Sequence, residues 1–318
     1  MRRLSVIACA ALAAAVMSQS SPARAATARA YVTPLIAHTA WTATDGCEPV
    51  PGVVTLPRLL EGHARRGYHP TGTVITGWIR PTARTCIEHL ALKPFPKPIL
   101  LPSWRDLRRL HAEHPWFGLA SGGIRYRELT TLTPAQQIAE ACGSATAIID
   151  HGWRSPLPLF AYPNNRFTTD INDRVLGHCP YLLGRRYSGE ANTRRSIRSG
   201  FLRVYSINGG RCRDAALRCS RLHTRYAYTR PSELARRLHP APGRWVVPQI
   251  YRLVKGSRST GRLRWNCRGR ASGHFTYDRG GDSTELYCAR DYYAALAHEP
   301  GYVVTRRTIR GVERRWGR

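Results

Sequence analysis

WFGLA at residues 116–120, TPAQQIAEACGSATAII at 133–149 and LPLFAY at 157–162 carry the clearest fold signal in this chain. Thr133 followed by Pro134 predicts a helix start, because threonine caps the first free N–H groups and proline fits the first helical position. The two apolar runs on either side of that helix predict strands. A strand, a helix and a further strand are the repeating unit of a parallel α/β sheet.

The same alternation continues on both sides of this unit. Ser103 is the expected N-cap of a helix over 104–111, and Thr168 or Thr169 of a helix to about Cys179. Further strands are expected at 71–79, 181–187, 201–207, 245–254 and 302–305, and further helices at 53–67, 231–238, 284–297 and 308–316. Roughly six to eight such units favour a (β/α) barrel over an open sheet, with functional residues at the carboxyl ends of the strands.

The first 30 residues indicate export. Arg2 and Arg3 precede an apolar run over 4–16, and Ala23-Arg24-Ala25 fits a signal-peptidase site, with a second candidate ending at Ala30. The run is shorter than the roughly 20 residues that span a bilayer, although an uncleaved anchor is the alternative. We therefore expect a signal peptide over 1–25, cleaved as late as residue 30, and a secreted single domain over 31–318 without a transmembrane segment.

Eight cysteines follow the predicted signal peptide. An even number of cysteines in an oxidising compartment predicts disulfides, and pairing between chain neighbours is the simplest arrangement. A structural zinc site is the competing interpretation, but the chain has no Cys-x-x-Cys pair. The expected bonds are Cys47–Cys86, Cys142–Cys179, Cys212–Cys219 and Cys267–Cys288.

The chain carries a formal net charge of +29, and only Lys93, Lys97 and Lys255 are lysines. Such a charge attracts polyanions. The basic residues are scattered rather than gathered in one tract, which argues against a nucleic-acid tail. Outside the cytoplasm the natural anionic partners are cell-wall polymers and lipid headgroups. Codon bias in a GC-rich genome is the alternative explanation for the excess of arginine.

Four segments at predicted strand ends form an ordered set of motifs: TATDG at 42–46, SGGIRYRE at 121–128, FAYPNN at 160–165 and WVVPQIY at 245–251. Their order resembles the polysaccharide deacetylase family, the carbohydrate esterases with NodB homology. The resemblance covers roughly residues 38 to 310. FAYPNN is its most specific part, because it matches the family's F-x-Y-P-x-G pattern in all but the glycine.

The resemblance implies a distorted (β/α) barrel that removes acetyl groups from sugar polymers with a divalent metal. The family holds the metal with one Asp and two His, and here only the Asp position is kept, as Asp45. The base position is Thr44, the two His positions are Gly122 and Tyr126, and the late catalytic His is Tyr251. Because a catalytic metal usually needs three protein ligands, we expect no cofactor and no catalysis. The predicted remnant site comprises Thr44, Asp45, Gly122, Tyr126, Tyr162, Pro163, Asn164, Asn165 and Tyr251.

Three functions follow from these patterns. The leading hypothesis is a secreted, disulfide-braced deacetylase-like protein that binds cell-envelope glycan through aromatic faces at the barrel mouth. The second is an active carbohydrate deacetylase, a hydrolase of C–N (amide) bonds, with relocated ligands for a metal such as zinc. Candidate ligands are His63, His69, His111 and His114. The third is a charge-driven binder of anionic wall polymers. Asp45 also has a plain structural interpretation, because Asp-Gly is a turn dipeptide.

Overall fold

The computed structural model describes residues 29–45, 47–87, 99–207, 231–260, 263–267, 286–297, 304–305 and 308–316. The predicted signal peptide over 1–25 and the predicted bond Cys212–Cys219 lie outside these residues. The described chain is a mixed α/β structure built on a curled parallel sheet. None of its described helices is long and apolar enough to cross a membrane.

Strands and helices alternate over part of the described chain, as the sequence predicts. The strands are β1 (Ala30–Val32), β2 (Leu35–Ile36), β3 (Thr42–Asp45), β4 (Glu48–Pro49), β5 (Thr71–Val74), β6 (Thr85–Ile87), β7 (Ile99–Leu101), β8 (Gly118–Ser121), β9 (Gly184–Tyr187), β10 (Phe201–Ser206), β11 (Trp245–Val246), β12 (Pro248–Ile250), β13 (Arg252–Val254), β14 (Ser257–Thr260), β15 (Leu263–Asn266), β16 (Leu286–Cys288) and β17 (Val304–Thr305). The helices are α1 (Leu56–Ala64), α2 (Trp104–Glu113), α3 (Pro134–Asp150), α4 (Thr169–His178), α5 (Arg194–Arg198), α6 (Pro231–Leu238), α7 (Ala289–Ala297) and α8 (Ile309–Trp316).

Three predicted helix starts are confirmed with their caps. The Ser103 hydroxyl accepts from the backbone N–H of Asp106, and the Asp106 carboxylate accepts from the Ser103 N–H, which closes a capping box on α2. Thr133 caps α3 in the same way, with Pro134 at the first turn. Thr168, rather than Thr169, caps α4. These starts were predictable because a cap needs only residues within one turn of the chain.

Six strands form the central sheet in the order β8-β5-β2-β12-β10-β9, and every neighbouring pair is parallel. β2 lies in the middle, where Leu35 pairs with Thr71 of β5 and with Gln249 of β12. The sheet curls into a half barrel. The expectation of a parallel α/β architecture is therefore confirmed.

The segment over 157–162, predicted as a strand, lies between the two edge strands of this sheet. Phe160 forms one parallel bridge with Ser121 of β8 and another with Gly184 of β9. The segment forms isolated bridges instead of a continuous ladder, and Pro158 contributes to this because it has no N–H to donate. Both edges of the curled sheet are thus hydrogen-bonded to the same connecting segment.

The single strand predicted over 245–254 is instead three short strands, β11, β12 and β13, which join three different sheets. Pro248 cannot donate to a ladder, and Pro34 separates β1 from β2 on the neighbouring chain segment. The pairing between these two chain segments is therefore interrupted between β1 and β2 on one segment and between β11 and β12 on the other. Before the break, β1 and β11 form a three-stranded parallel sheet with β17, and after it β2 and β12 join the central sheet.

Alternate residues of the central strands enter two separate apolar clusters, as the two faces of a sheet require. One cluster contains Leu35, Ala120, Leu159, Ala161, Leu202 and Val204. The other contains Ile36, Leu119, Phe160, Tyr162, Phe201 and Ile250. The segment over 157–162 follows the same alternation as the strands beside it.

Three of the four predicted disulfides are confirmed: Cys47–Cys86, Cys142–Cys179 and Cys267–Cys288. Cys142–Cys179 ties α3 to the end of α4, the two helices that flank the segment over 157–162. Disulfides of this kind are expected of a protein that folds in an oxidising compartment.

Candidate functional site at the carboxyl end of the parallel sheet

The carboxyl ends of the central strands bring three distant aromatic side chains together. His38 follows β2, Tyr126 follows β8 and Tyr251 follows β12 directly. The His38 ring lies 5.3 Å from the Tyr126 ring and 5.9 Å from the Tyr251 ring, measured between centroids. In parallel α/β sheets this end is where ligands bind, and we take this cluster as the candidate site.

His38 is held in an unusual backbone turn at the centre of the cluster. Its φ is 53° and that of Thr39 is 30°, and the Thr39 hydroxyl donates to the carbonyl of Thr73 at 2.8 Å. Left-handed conformations are uncommon outside glycine and often mark functional positions. The buried Nδ1 of His38 has no hydrogen-bond partner among the described protein atoms.

The His38 imidazole is neutral at physiological pH. Burial, followed by the charges of Arg185 and Arg252, lowers its pKa to about 3. A neutral imidazole offers one N–H donor and one nitrogen acceptor. It can therefore hydrogen-bond a hydroxyl or an amide of a ligand without requiring a counter-charge.

A chain of hydrogen bonds crosses the strand ends beside His38. Arg185 of β9 donates to the carbonyl of Tyr162 at 2.9 Å and to Oε1 of Gln249 at 3.2 Å. The Gln249 amide donates to the Tyr187 hydroxyl, which is 2.8 Å from the Tyr251 hydroxyl. The chain fixes the ring of Tyr251 against β9, so that one side of the site is preorganised.

The Tyr-Pro-Asn-Asn segment at 162–165 is hydrogen-bonded to α4 and to β9, beside the site. The Tyr162 ring is fully buried and its hydroxyl donates to Oδ1 of Asn172 at 2.9 Å. Burial raises the pKa of Tyr162 well above its usual value. Asn164 and Asn165, which follow Pro163, adopt φ of 50° and 55°, and Oδ1 of Asn165 accepts from the backbone N–H of Tyr187 at 3.0 Å. The Tyr162 side chain is therefore anchored to Asn172 of α4, and the Asn165 side chain positions the backbone at Tyr187.

Gly122 lies in the turn that carries the chain from β8 to Tyr126. Its N–H donates to the carbonyl of Val74 at 2.7 Å, which ties the ends of β8 and β5 together. The following Gly123 has a φ of 93°, and a Cβ there would lie 2.7 Å from Oε1 of Glu140. Tyr126 itself has a φ of 59°. This turn leads the chain back so that the Tyr126 ring reaches His38.

Thr44 and Asp45, by contrast, belong to a strand outside the central sheet. They belong to β3, where Thr44 pairs with Pro49 and Asp45 with Glu48 in an antiparallel hairpin. β3 is part of a separate four-stranded sheet in the order β4-β3-β7-β6. The residue that the structure places just past the end of β2 is His38. The apolar run Leu35-Ile36-Ala37 directly before it was the sequence signal that could have identified His38.

Arg185, Tyr187 and Gln249 also belong to the site, although the sequence patterns did not single them out. Each lies within a strand of the central sheet, where side-chain direction depends on register. Their hydrogen bonds join residues 23 to 64 positions apart. No local motif connects residues so far apart along the chain.

The four histidines proposed as metal ligands contact other groups and not His38. His63 is buried, its Nδ1 is 2.7 Å from the Leu59 carbonyl and its Nε2 is 2.8 Å from the Tyr292 hydroxyl. Burial lowers the pKa of His63 to about 4. His69 and His114 both lie against the Trp116 ring, and Nδ1 of His111 is 2.8 Å from the Phe117 carbonyl. Within the described ranges no three His, Cys, Asp or Glu side chains are grouped as metal ligands would be.

The opening of the site is aromatic and partly exposed. Tyr187, Tyr251 and Trp78 are half-buried, and the Trp78 ring lies 6.1 Å from the Tyr126 ring. A small pocket beside His38 is lined by Thr39, Val74, Ile75, Trp78, Ile79, Leu101 and Pro102. Aromatic faces with a few convergent hydrogen-bonding groups suit a ligand that has both apolar faces and hydroxyl groups.

Comparison with known protein families and with curated proteins finds no match to this chain. The resemblance to polysaccharide deacetylases therefore rests on the sequence motifs at 42–46, 121–128, 160–165 and 245–251.

Proposed function

We propose that this protein is a secreted, deacetylase-like barrel that binds cell-envelope glycan and has lost the family's catalysis. The observation that carries the proposal is the convergence of His38, Tyr126 and Tyr251 at the carboxyl end of the parallel sheet. This end is the expected ligand site of the fold. The predicted signal peptide and the three disulfides support a location outside the cytoplasm.

The hydrogen bonds of the segment over 157–162 support the barrel part of the proposal. The backbone N–H of Ala161 donates to the Ser121 carbonyl at 2.7 Å, and the N–H of Phe160 donates to the Leu183 carbonyl at 2.9 Å. With this segment as a seventh, irregular member, the six strands close into a distorted ring. Such a ring places the Tyr-Pro-Asn-Asn motif at the same end as His38.

Sugar binding fits the chemistry of the opening. The C–H faces of pyranose rings pack on aromatic rings, and their hydroxyl groups need donors and acceptors held in fixed positions. Tyr251 offers a packing face, because its side chain is partly exposed. It also offers a hydrogen-bonding group in a fixed position, because its hydroxyl lies 2.8 Å from the Tyr187 hydroxyl. The neutral His38 adds a hydrogen-bonding group beside it.

The residue types at the motif positions support the loss of catalysis. Gly122 and Tyr126 stand where the family has its two His ligands, and neither supplies the nitrogen ligand of a zinc site. Asp45, the one retained ligand type, lies in the β3–β4 hairpin. The alternative of an active hydrolase with relocated ligands stays a prediction.

Titration of the full chain with N-acetylated chito-oligosaccharides and peptidoglycan fragments tests the proposal. We expect Tyr251→Ala to weaken binding about tenfold, because both a stacking face and a hydrogen bond are removed. Trp116→Ala is the matched control, since this half-buried aromatic residue packs with His69 and His114 in another part of the fold. No glycan binding by the wild type, or equal loss in both variants, would overturn the glycan site.

Acetate release with zinc or cobalt added tests the lost catalysis separately. We expect no acetate release above the protein-free control. Metal-dependent release that Asp45→Ala abolishes would show an active deacetylase and overturn this part of the proposal.

A further inference from the structure

A second concave surface lies between α1 and α7, and none of the residues assigned to the carboxyl-end site lines it. Its volume is about 790 Å³. Five of its lining side chains are cationic: Arg58, Arg65, Arg66, Lys255 and Arg290. We call this surface the cationic cavity.

The floor of the cationic cavity is a close contact between its two helices. A Cβ at Gly62 of α1 would lie 2.3 Å from the hydroxyl oxygen of Tyr293 of α7, so glycine is what lets this ring lie across α1. The Arg66 guanidinium lies 4.4 Å from the centroid of the Tyr293 ring and donates to the Gly62 carbonyl at 2.9 Å. The floor therefore holds one guanidinium in a defined place.

Carboxylates pair with three of these cations. Glu61 pairs with Arg58 at 2.9 Å and with Arg65 at 3.4 Å, and Asp291 pairs with Arg290 at 3.2 Å. The Arg58 hydrogen bond and the Arg65 charge hold the pKa of Glu61 below its usual value, so it remains ionised. Cationic side chains thus form much of the lining of this concave surface.

We propose that the cationic cavity binds phosphate groups of an anionic polymer. Arginine side chains present forked N–H donors that match phosphate oxygens, and a concave surface concentrates the positive potential. The volume exceeds what a single phosphate occupies, so the cavity suits a polymer segment rather than a free ion. The inference is independent of the proposed glycan site, because it uses other residues and other chemistry.

Titration of the full chain with inorganic polyphosphate tests the cavity. The double variant Arg65→Gln/Arg290→Gln removes two cations whose side chains are 65% and 54% exposed, so the fold is expected to survive. We expect the affinity to fall about tenfold or more, from two charge-assisted hydrogen bonds lost. The matched control is Arg108→Gln/Arg127→Gln, which makes the same charge change at exposed positions outside the cavity.

Preferential loss in the cavity variant, with the control double variant within about twofold of wild type, supports the site, since screened surface charges act weakly at a distance. Equal weakening in both double variants would show a non-specific response to net charge and would overturn the cavity. Absence of polyphosphate binding by the wild type would overturn it as well. The polyphosphate titration and the glycan titration use different ligands and different variants. Failure of the cationic cavity can therefore be told apart from failure of the glycan site.

Discussion

The two ends of the central sheet bury different kinds of residues. At the amino end, Tyr31, Trp245 and Trp316 pack edge to face, with the Trp316 ring 5.4 Å from Tyr31 and 5.8 Å from Trp245. All three are at most 4% exposed. At the carboxyl end, the His38 and Tyr251 side chains are partly exposed, and the Tyr251 hydroxyl lies 2.8 Å from the Tyr187 hydroxyl.

The difference follows from how each end is covered. The amino ends continue into β1 and β11, and α8 closes over them with its apolar face. The one polar atom of the Trp245 ring is satisfied, because Nε1 donates to the Thr33 hydroxyl at 2.8 Å. The carboxyl ends lead into turns instead, where polar side chains keep access to solvent. The same strands thus have an apolar, covered end and an end that carries the candidate site.

Trp316→Ala is expected to have the largest effect on stability. Removing a buried Trp side chain from the amino end costs about 3–5 kcal/mol of unfolding free energy, through lost apolar contact and the cavity left behind. Urea unfolding measures this loss, and the glycan affinity of the folded variant should stay near that of wild type. A loss below about 1 kcal/mol would mean that α8 does not close this end as described.

Acidification to about pH 5 is expected to act at the carboxyl end with an intermediate effect, at most about 2 kcal/mol. Folded His38 has a pKa of about 3, against 6.5 in the unfolded chain, so the unfolded state binds the extra proton in between. The stability from neutral His38 is complete above pH 6.5 and is lost as the pH falls towards 3, by at most about 1.4 kcal/mol per pH unit.

Urea midpoints of wild type and His38→Gln across this pH range measure that contribution. Arg185 and Arg252 oppose protonation of His38, and Tyr126 and Tyr251 face its ring. The lowered pKa of His63 also makes the fold less stable as the pH falls. Because His63 is present in both wild type and His38→Gln, the difference between their pH profiles isolates His38. Parallel pH profiles would contradict the prediction.

Tyr251→Phe is expected to have the smallest effect on stability. It keeps the ring beside His38 and removes one hydrogen bond to Tyr187, which costs about 0.5–1.5 kcal/mol. Glycan binding should weaken less than in Tyr251→Ala, because the stacking face remains. If the phenylalanine variant loses as much affinity as the alanine variant, the hydroxyl rather than the ring makes the main contact.

Local signals in the chain identified much of the architecture. The caps at Ser103, Thr133 and Thr168 and three neighbouring cysteine pairs were predictable. The prediction of one strand over 245–254 was wrong, because Pro248 interrupts the ladder and each part pairs with a different partner. The importance of His38 was missed, since β2 is only two residues long and the apolar run Leu35-Ile36-Ala37 is a short signal.

Helix starts, disulfide neighbours and the α/β alternation were readable from the amino-acid sequence, because each depends on residues close together in the chain or on simple compositional rules. The site was not readable in this way. His38, Tyr126 and Tyr251 meet only because β2 lies between β5 and β12 and the strand registers bring their carboxyl ends level. Strand order and register depend on contacts between distant segments, and no local pattern encodes them.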